Sequence, residues 1–263
     1  MHDFAFVFAG FAVGLVVGLT GVGGGSLMTP LLIFVFGIKP HLAIGSDLLF
    51  AAFTKMGGTV SLARARMVDW RIVGQVAAGS LPASLITLYI LQRLGPANPA
   101  TQTLMTTTLG LALLLTATAT FYKVLRGKAL PADIAPDLIA QATRARHWAL
   151  PVMFGAVVGS LVTLTSVGAG AIGVIVLMLL YPALPLPRIV AADIAHAVPL
   201  TLVAGLGHAS IGSVDWPLLI KLLAGSLPGI WLGSHLMRKT PERAIRSLLS
   251  VLLAYAGVKL ISL

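Results

Sequence analysis

Apolar residues fall in ten runs along the chain, at approximately 4–19, 25–37, 41–63, 70–92 and 102–122, and again at 148–164, 170–181, 189–210, 216–237 and 244–262. A run of about 20 apolar residues can cross the hydrocarbon core of a bilayer as a helix. The second run of each set is short for a crossing, and the first leads directly into a glycine-rich phrase, TGVGGG at 20–25 and TSVGAG at 165–170. Adjacent glycines weaken a helix, so each opening pair of runs reads as a hairpin of short helices joined through a glycine break. The pattern predicts an all-α integral membrane protein. It is a polytopic helical bundle of about 8–10 helical segments, with three spanning helices after each hairpin.

The second set of runs repeats the first. Thr20-Gly21-Val22-Gly23-Gly24-Gly25 aligns with Thr165-Ser166-Val167-Gly168-Ala169-Gly170 at an offset of 145. Asp47 aligns with Asp193, Val68-Asp69-Trp70 with Val214-Asp215-Trp216, and Gly79-Ser80-Leu81-Pro82 with Gly225-Ser226-Leu227-Pro228, all at 146. One residue inserted in the proline-rich turn 182–187 accounts for the change. Phrases recurring in one order indicate an internal duplication. The expected organisation is a first transmembrane repeat at 1–122, a basic cytoplasmic linker at 123–147 and a second repeat at 148–263.

Charge gives the orientation. Lys123, Arg126, Lys128, Arg144 and Arg146 in the linker, Arg238, Lys239, Arg243 and Arg246, and Arg64, Arg66 and Arg71 mark three loops as cytoplasmic, while 211–215 has no basic residue and belongs outside. If each hairpin returns to its starting side, every loop lands where its charge places it, and the first half starts outside while the second starts inside. The halves are then inverted repeats, an arrangement shared by many secondary transporters. Hairpins that cross fully give the same parity.

Composition agrees with the pattern: of 263 residues 57% are hydrophobic and only 10% charged, against about a quarter charged in a soluble domain. The net charge of +10 sits in short clusters between apolar runs with few aromatics interleaved, which argues against nucleic acid as a partner. Zero cysteines remove disulfides, thiolate catalysis and cysteine metal sites. MHDFAF has no Lys or Arg before the first run, unlike a cleaved signal peptide, so a retained first helix is expected. No HExxH, closely paired carboxylates, Gly-x-Ser-x-Gly elbow or nucleotide-binding motif occurs, so neither an enzyme nor a bound cofactor is expected.

The glycine phrases suggest chemistry. Irregular backbone in hydrocarbon must be buried in protein or line a polar cavity. A break near mid-membrane exposes a helix N-terminus, with unpaired N–H groups and partial positive charge, which suits an anion. The candidate substrate-binding set is Thr20, Gly21, Gly23, Gly24, Gly25, Thr165, Ser166, Gly168 and Gly170, the threonines and serine adding hydroxyl donors. The alternative use of such glycines is close helix packing, and Gly225, Gly229 and Gly233, at spacing four, are assigned to it. Asp69 and Asp215 fit N-caps, Trp70 and Trp216 an interfacial aromatic belt, and Pro82 and Pro228 are expected to kink their helices.

Ionisable groups inside apolar runs mark pathways. Lys55 lies near the middle of its run, about 12 Å from either end by helical rise, too far to snorkel. It is the candidate counter-charge for an anion, the alternative being an ion pair with Asp47 or Asp193. Its repeat counterpart is Thr201. Asp193 and His196 share a helix face at spacing three, and with Asp47 they are the proton-coupling candidates; a structural hydrogen bond is the other reading of the Asp193–His196 pair. His208, near a run's end, is expected at the interface, and Lys221, one turn into its helix, is expected to snorkel.

The Gly-Val-Gly-Gly-Gly phrase with Pro30 downstream, SDLLFAAFTKMGGT at 46–59, the paired Val-Asp-Trp and Gly-Ser-Leu-Pro phrases and the basic central loop together resemble the TauE/SafE family of sulfite and organosulfur-anion exporters over nearly the whole chain. The resemblance implies a multi-pass permease of the bacterial cytoplasmic membrane whose partner is a small anion, with the lipid bilayer around it and homo-oligomerisation left open. The expected function is secondary transport of a sulfur-containing anion by alternating access, with proton coupling as an option. A carboxylate carrier and a passive anion channel are the alternatives.

Overall fold

The computed structural model describes residues 2–20, 25–126, 148–168, 170–236 and 242–261. The described residues form ten helices and no strand. In chain order they are α1 (His2–Thr20), α2 (Gly25–Phe34), α3 (Pro40–Arg64), α4 (Trp70–Leu94), α5 (Pro99–Arg126), α6 (Ala149–Thr165), α7 (Ala171–Leu180), α8 (Leu186–Ser210), α9 (Trp216–Leu236) and α10 (Glu242–Ile261). Their bounds follow the apolar runs closely. The main departure is α5, which continues to Arg126, past the expected start of the linker at 123; residues 127–147 lie outside the described residues.

Hydropathy and packing place these helices in a membrane. Four stretches, in α4, α5, α8 and α9, are long and apolar enough to cross one. Leu85, Ile86, Tyr89 and Ile90 on α4 and Val251, Leu252, Tyr255 and Val258 on α10 are exposed. Such rows would aggregate in water and are natural against lipid. Polar character is turned inward instead: His41, Ser46, Asp47 and Lys55 on α3 and Asp193, His196, Thr201 and His208 on α8 are all buried. The chain is a polytopic helical membrane protein, with α3 and α8 packed together inside it.

The packing follows the duplication. Exchange α1 to α5 with α6 to α10, and the α1–α9 contact becomes α6–α4, α4–α8 becomes α9–α3, and α3–α8 and α5–α10 map onto themselves. The cores repeat as well. Ile72, Val73 and Val76 pack with Val174 and Leu177, and Leu218, Leu219 and Leu222, each 146 residues on, pack with Met28 and Leu32.

Glycine makes the inter-repeat contacts possible. Gly10, Gly14 and Gly18 of α1 lie on the backbone of α9 at Leu222, Ser226 and Ile230, while Gly225, Gly229 and Gly233 of α9 lie on Val7, Phe11 and Leu15 of α1. On the other side, Gly79 of α4 meets Val152 of α6, and Gly155 and Gly159 of α6 meet Val76 and Ser80 of α4. The packing role read for Gly225, Gly229 and Gly233 is therefore observed, with a partner stripe on α1 at the same spacing of four that had no reading from the sequence. With no Cβ between them the backbones interlock, which is how helices associate where lipid removes the hydrophobic drive. Both α4 and α9 continue through Pro82 and Pro228.

Helix starts are set as read. Asp69 Oδ1 accepts from the backbone N–H of Arg71 at 3.1 Å, Asp215 Oδ1 from that of Leu218 at 3.0 Å, and Trp70 and Trp216 are exposed beside them. Asp215→Ala is expected to cost about 1 kcal/mol of stability, read as a lower thermal midpoint, whereas Asp215→Asn, which keeps a capping oxygen, should stay close to the parent.

Candidate functional site

Asp47 and Asp193 occupy equivalent places, seven residues into α3 and α8 respectively, and each carboxylate lies against the opening turns of its repeat's short helix. The Thr29 hydroxyl of α2 donates to Asp47 Oδ2, and the Thr29 backbone N–H is directed at the same carboxylate. Asp193 Oδ1 sits directly on Gly173, in the first turn of α7, where a Cβ would collide with it. A carboxylate at a helix N-terminus is stabilised by the exposed N–H groups and the helix dipole. The positive ends of both short helices are thus already turned toward protein carboxylates.

The break between α6 and α7 is shaped by its sequence. Ser166 ends α6 in the left-handed region, φ 59°, with its N–H on the Val162 carbonyl at 2.7 Å. Thr165 Oγ1 is bound into this turn: it donates to the carbonyls of Leu161 and Val167 and accepts the Val167 N–H at 3.1 Å. Gly168 and Gly170 have φ of 133° and 134°, a conformation that side chains disfavour. Gly170 precedes α7 without a side-chain cap, so the helix opens on backbone N–H groups.

Ser166 reaches across the repeats. Its hydroxyl lies beside the Asp47 carboxylate, yet among the described residues neither Ser166 Oγ nor Asp47 Oδ1 completes a hydrogen bond, and both are buried. In the first repeat, Thr20 closes α1 and Gly25 opens α2; Gly21, Gly23 and Gly24 lie outside the described residues.

Lys55 is buried, while Phe53 and Met56 beside it are exposed. Its ammonium group feels Asp193 first and Asp47 second. The structure therefore brings Lys55, Asp47, Asp193, Ser166 and the α6–α7 break into one region between the repeats. His196 is buried there too, with Nε2 2.7 Å from Ser80 Oγ, and the charge acting on it is that of Lys55. Among the described residues, its polar partner is the Ser80 hydroxyl of α4.

His208 packs more tightly than its place in the sequence indicates. It lies in the last turn of its helix but is fully buried, with Nε2 2.9 Å from the Thr163 carbonyl oxygen. The reason is Gly45: the missing side chain lets the end of α8 press onto α3, and a Cβ there would meet His208 Cβ at 3.1 Å.

Thr29 and Ser80 were missed by sequence reasoning. Thr29 stands next to Pro30 in the first turns of α2, and its hydroxyl bonds a residue 18 positions away; only the proximity of the glycine break hinted at it. Ser80 belongs to the repeated Gly-Ser-Leu-Pro phrase, in which Gly225, Pro82 and Pro228 had a reading and the serine had none.

A family model described as sulfite exporter TauE/SafE matches residues 6–260. The chain belongs to the TauE/SafE family. This TauE/SafE chain is 35% identical over 255 residues to the "Probable membrane transporter protein YjnA" of Bacillus subtilis strain 168, covering 97% of this chain and 98% of that one. It is 28% identical to YdhB of the same organism, also named a probable membrane transporter protein, over 95% of this chain and 97% of the relative. A probable membrane transporter protein of Xylella fastidiosa is 27% identical over 87% and 82% of the two chains. No solved structure matches the TauE/SafE chain. The family's description and the relatives' names are those of membrane transporters.

Proposed function

We propose that this protein is a secondary transporter for a small sulfur-containing anion, such as sulfite or a sulfonate, working by alternating access between two inverted halves. The observation that carries the reading is Lys55. A lysine buried in the inner helix of a membrane bundle is costly unless it serves a path, and its charge suits an anion. The candidate contacts of the anion are those the sequence suggests, the backbone amides of Gly21, Gly23, Gly24, Gly25, Gly168 and Gly170 and the hydroxyls of Thr20, Thr165 and Ser166. Of the hydroxyls, Thr165 is engaged in its own turn, whereas Ser166 Oγ makes no hydrogen bond among the described residues. The candidates for coupling transport to protons are Asp193 with His196, or Asp47. The protein sits in the bacterial cytoplasmic membrane with its central loop in the cytoplasm, as the positions of Lys and Arg indicate.

The test is sulfite flux in proteoliposomes containing the purified protein, with and without a pH gradient. A carrier is expected to show saturation and counterflow, with net flux changed by the gradient. Flux linear in concentration without counterflow would identify a channel. Movement of carboxylates without sulfite would replace the substrate. An absence of flux for every small anion would sink the reading.

A further inference from the structure

The two half-sites are built on one plan but carry different chemistry. Three groups distinguish them. Thr29 bonds Asp47, and the matching position beside Asp193 is Val174, without a hydroxyl. Ser166 faces Asp47, and its counterpart is Gly21. Lys55 lies on the Asp193 side, that charge acting on it before Asp47, and its counterpart is Thr201. The Lys55 charge therefore acts on both carboxylates, Asp193 more than Asp47, while a hydroxyl bond from the short helix is found at Asp47.

One oxygen of Asp47 is bonded by Thr29, while the other, fully buried, makes no hydrogen bond and faces the buried Ser166 hydroxyl, itself unbonded among the described residues. An ionised carboxylate oxygen left unpaired in a membrane interior is strongly unfavourable. A cation between these oxygens removes the penalty. Hydroxyl, carboxylate and the carbonyl end of a broken helix are hard ligands suited to a proton or an alkali ion. Lys55, the charged group that acts on Asp47 from within α3, favours Asp193 and leaves room for a second positive charge.

We propose that the half-sites divide the work: Asp47, with Thr29 and Ser166, holds the coupling cation, a proton or a sodium ion, while Lys55 and Asp193 form the side that receives the anion. Resting on the anion-carrier reading, this assigns coupling to one of its three candidates and supplies the cause. An anion entering beside an ionised Asp47 meets a like charge, and a cation on Asp47 removes that repulsion. Each ligand then tightens the other's binding by the same factor.

Thermal unfolding of the purified full-length protein tests this. The probes are sodium chloride against choline chloride at fixed pH, acidification in choline chloride, and methanesulfonate, whose charge is constant between about pH 6 and 8, together with sulfite at fixed pH. The parent is expected to gain about 3 °C or more on saturation with the cation, and to bind the anion at least about tenfold more tightly when the cation is present. A sodium response at constant pH identifies sodium; a response to acid without sodium identifies the proton. Asp47→Asn is expected to abolish the cation response, and Ser166→Ala, which removes one hydroxyl and no charge, to weaken cation affinity about three- to tenfold. An Asp47→Asn or Ser166→Ala protein that responds to the cation as the parent does, or a parent that responds to neither cation, overturns the proposal. A cation response that depends on Asp47 without any anion response keeps the cation site and instead defeats the anion-carrier reading.

Discussion

Replacing Lys55 with alanine is expected to lower saturable anion flux about 100-fold, and restoring neutrality elsewhere is not expected to bring it back. The magnitude follows from a charge-assisted contact in a buried site, worth about 3 kcal/mol. The difficulty is that Lys55 has two possible duties. It can receive the anion, or it can simply neutralise Asp193, the charge that acts on it most strongly. Removing one partner of a buried charge pair costs several kcal/mol by itself, so a dead Lys55→Ala protein alone decides little. The second variant decides: Lys55→Ala combined with Asp193→Asn leaves no uncompensated carboxylate. If the lysine were only a structural counter-ion, folding and flux would return together. We expect folding to return, seen as a recovered thermal midpoint, while sulfite counterflow stays at the level of empty liposomes. Recovered flux in the double variant would assign Lys55 to Asp193 and remove it from the anion's path.

Hydropathy made the helices legible because lipid imposes a one-dimensional rule: a span must be apolar and about as long as the bilayer is thick. Asp69 and Asp215 were legible because a cap acts on its own next turn. Gly225, Gly229 and Gly233 were legible as a packing face, since spacing four puts them on one side of a helix. What spacing cannot carry is the identity of the partner, and the stripe on α1 that receives them became meaningful only in three dimensions. The same limit hid Thr29 from Asp47 and Ser80 from His196, which are 116 residues apart. The burial of His208 was hidden for a related reason. A position near a helix end says nothing of what that end packs against, and here Gly45 admits it into the bundle. Within the site, residue type pointed to Lys55, Asp47 and Asp193; which side of the site each serves depends on neighbours from other helices.

The glycine contacts lead to the second large effect. Gly79 and Gly225 are equivalent positions in the two repeats, and a Cβ at either would run into a backbone carbonyl oxygen of the facing helix, Val152 on α6 and Val7 on α1. Backbone cannot rotate out of the way as a flexible side chain can, so the helices must separate. Separation loosens every contact along the pair, and these pairs, α4–α6 and α1–α9, join one repeat to the other. Alanine at either position is therefore expected to destabilise the fold by about 3 kcal/mol or more, in the range of severe overpacking, and to reduce the yield of monodisperse protein. Gly74 provides the control within the same helix as Gly79. It is exposed, and a Cβ there meets nothing within 4 Å, so Gly74→Ala should be neutral or stabilising by up to about 1 kcal/mol through helix propensity. Thermal midpoints of the three variants separate the causes. Equal losses at Gly79 and Gly225 with none at Gly74 are expected if close approach between the repeats holds the bundle together. A Gly225→Ala protein as stable as its parent would mean that α1 and α9 can part without cost, and that the contacts of α3 with α8 hold the repeats together instead.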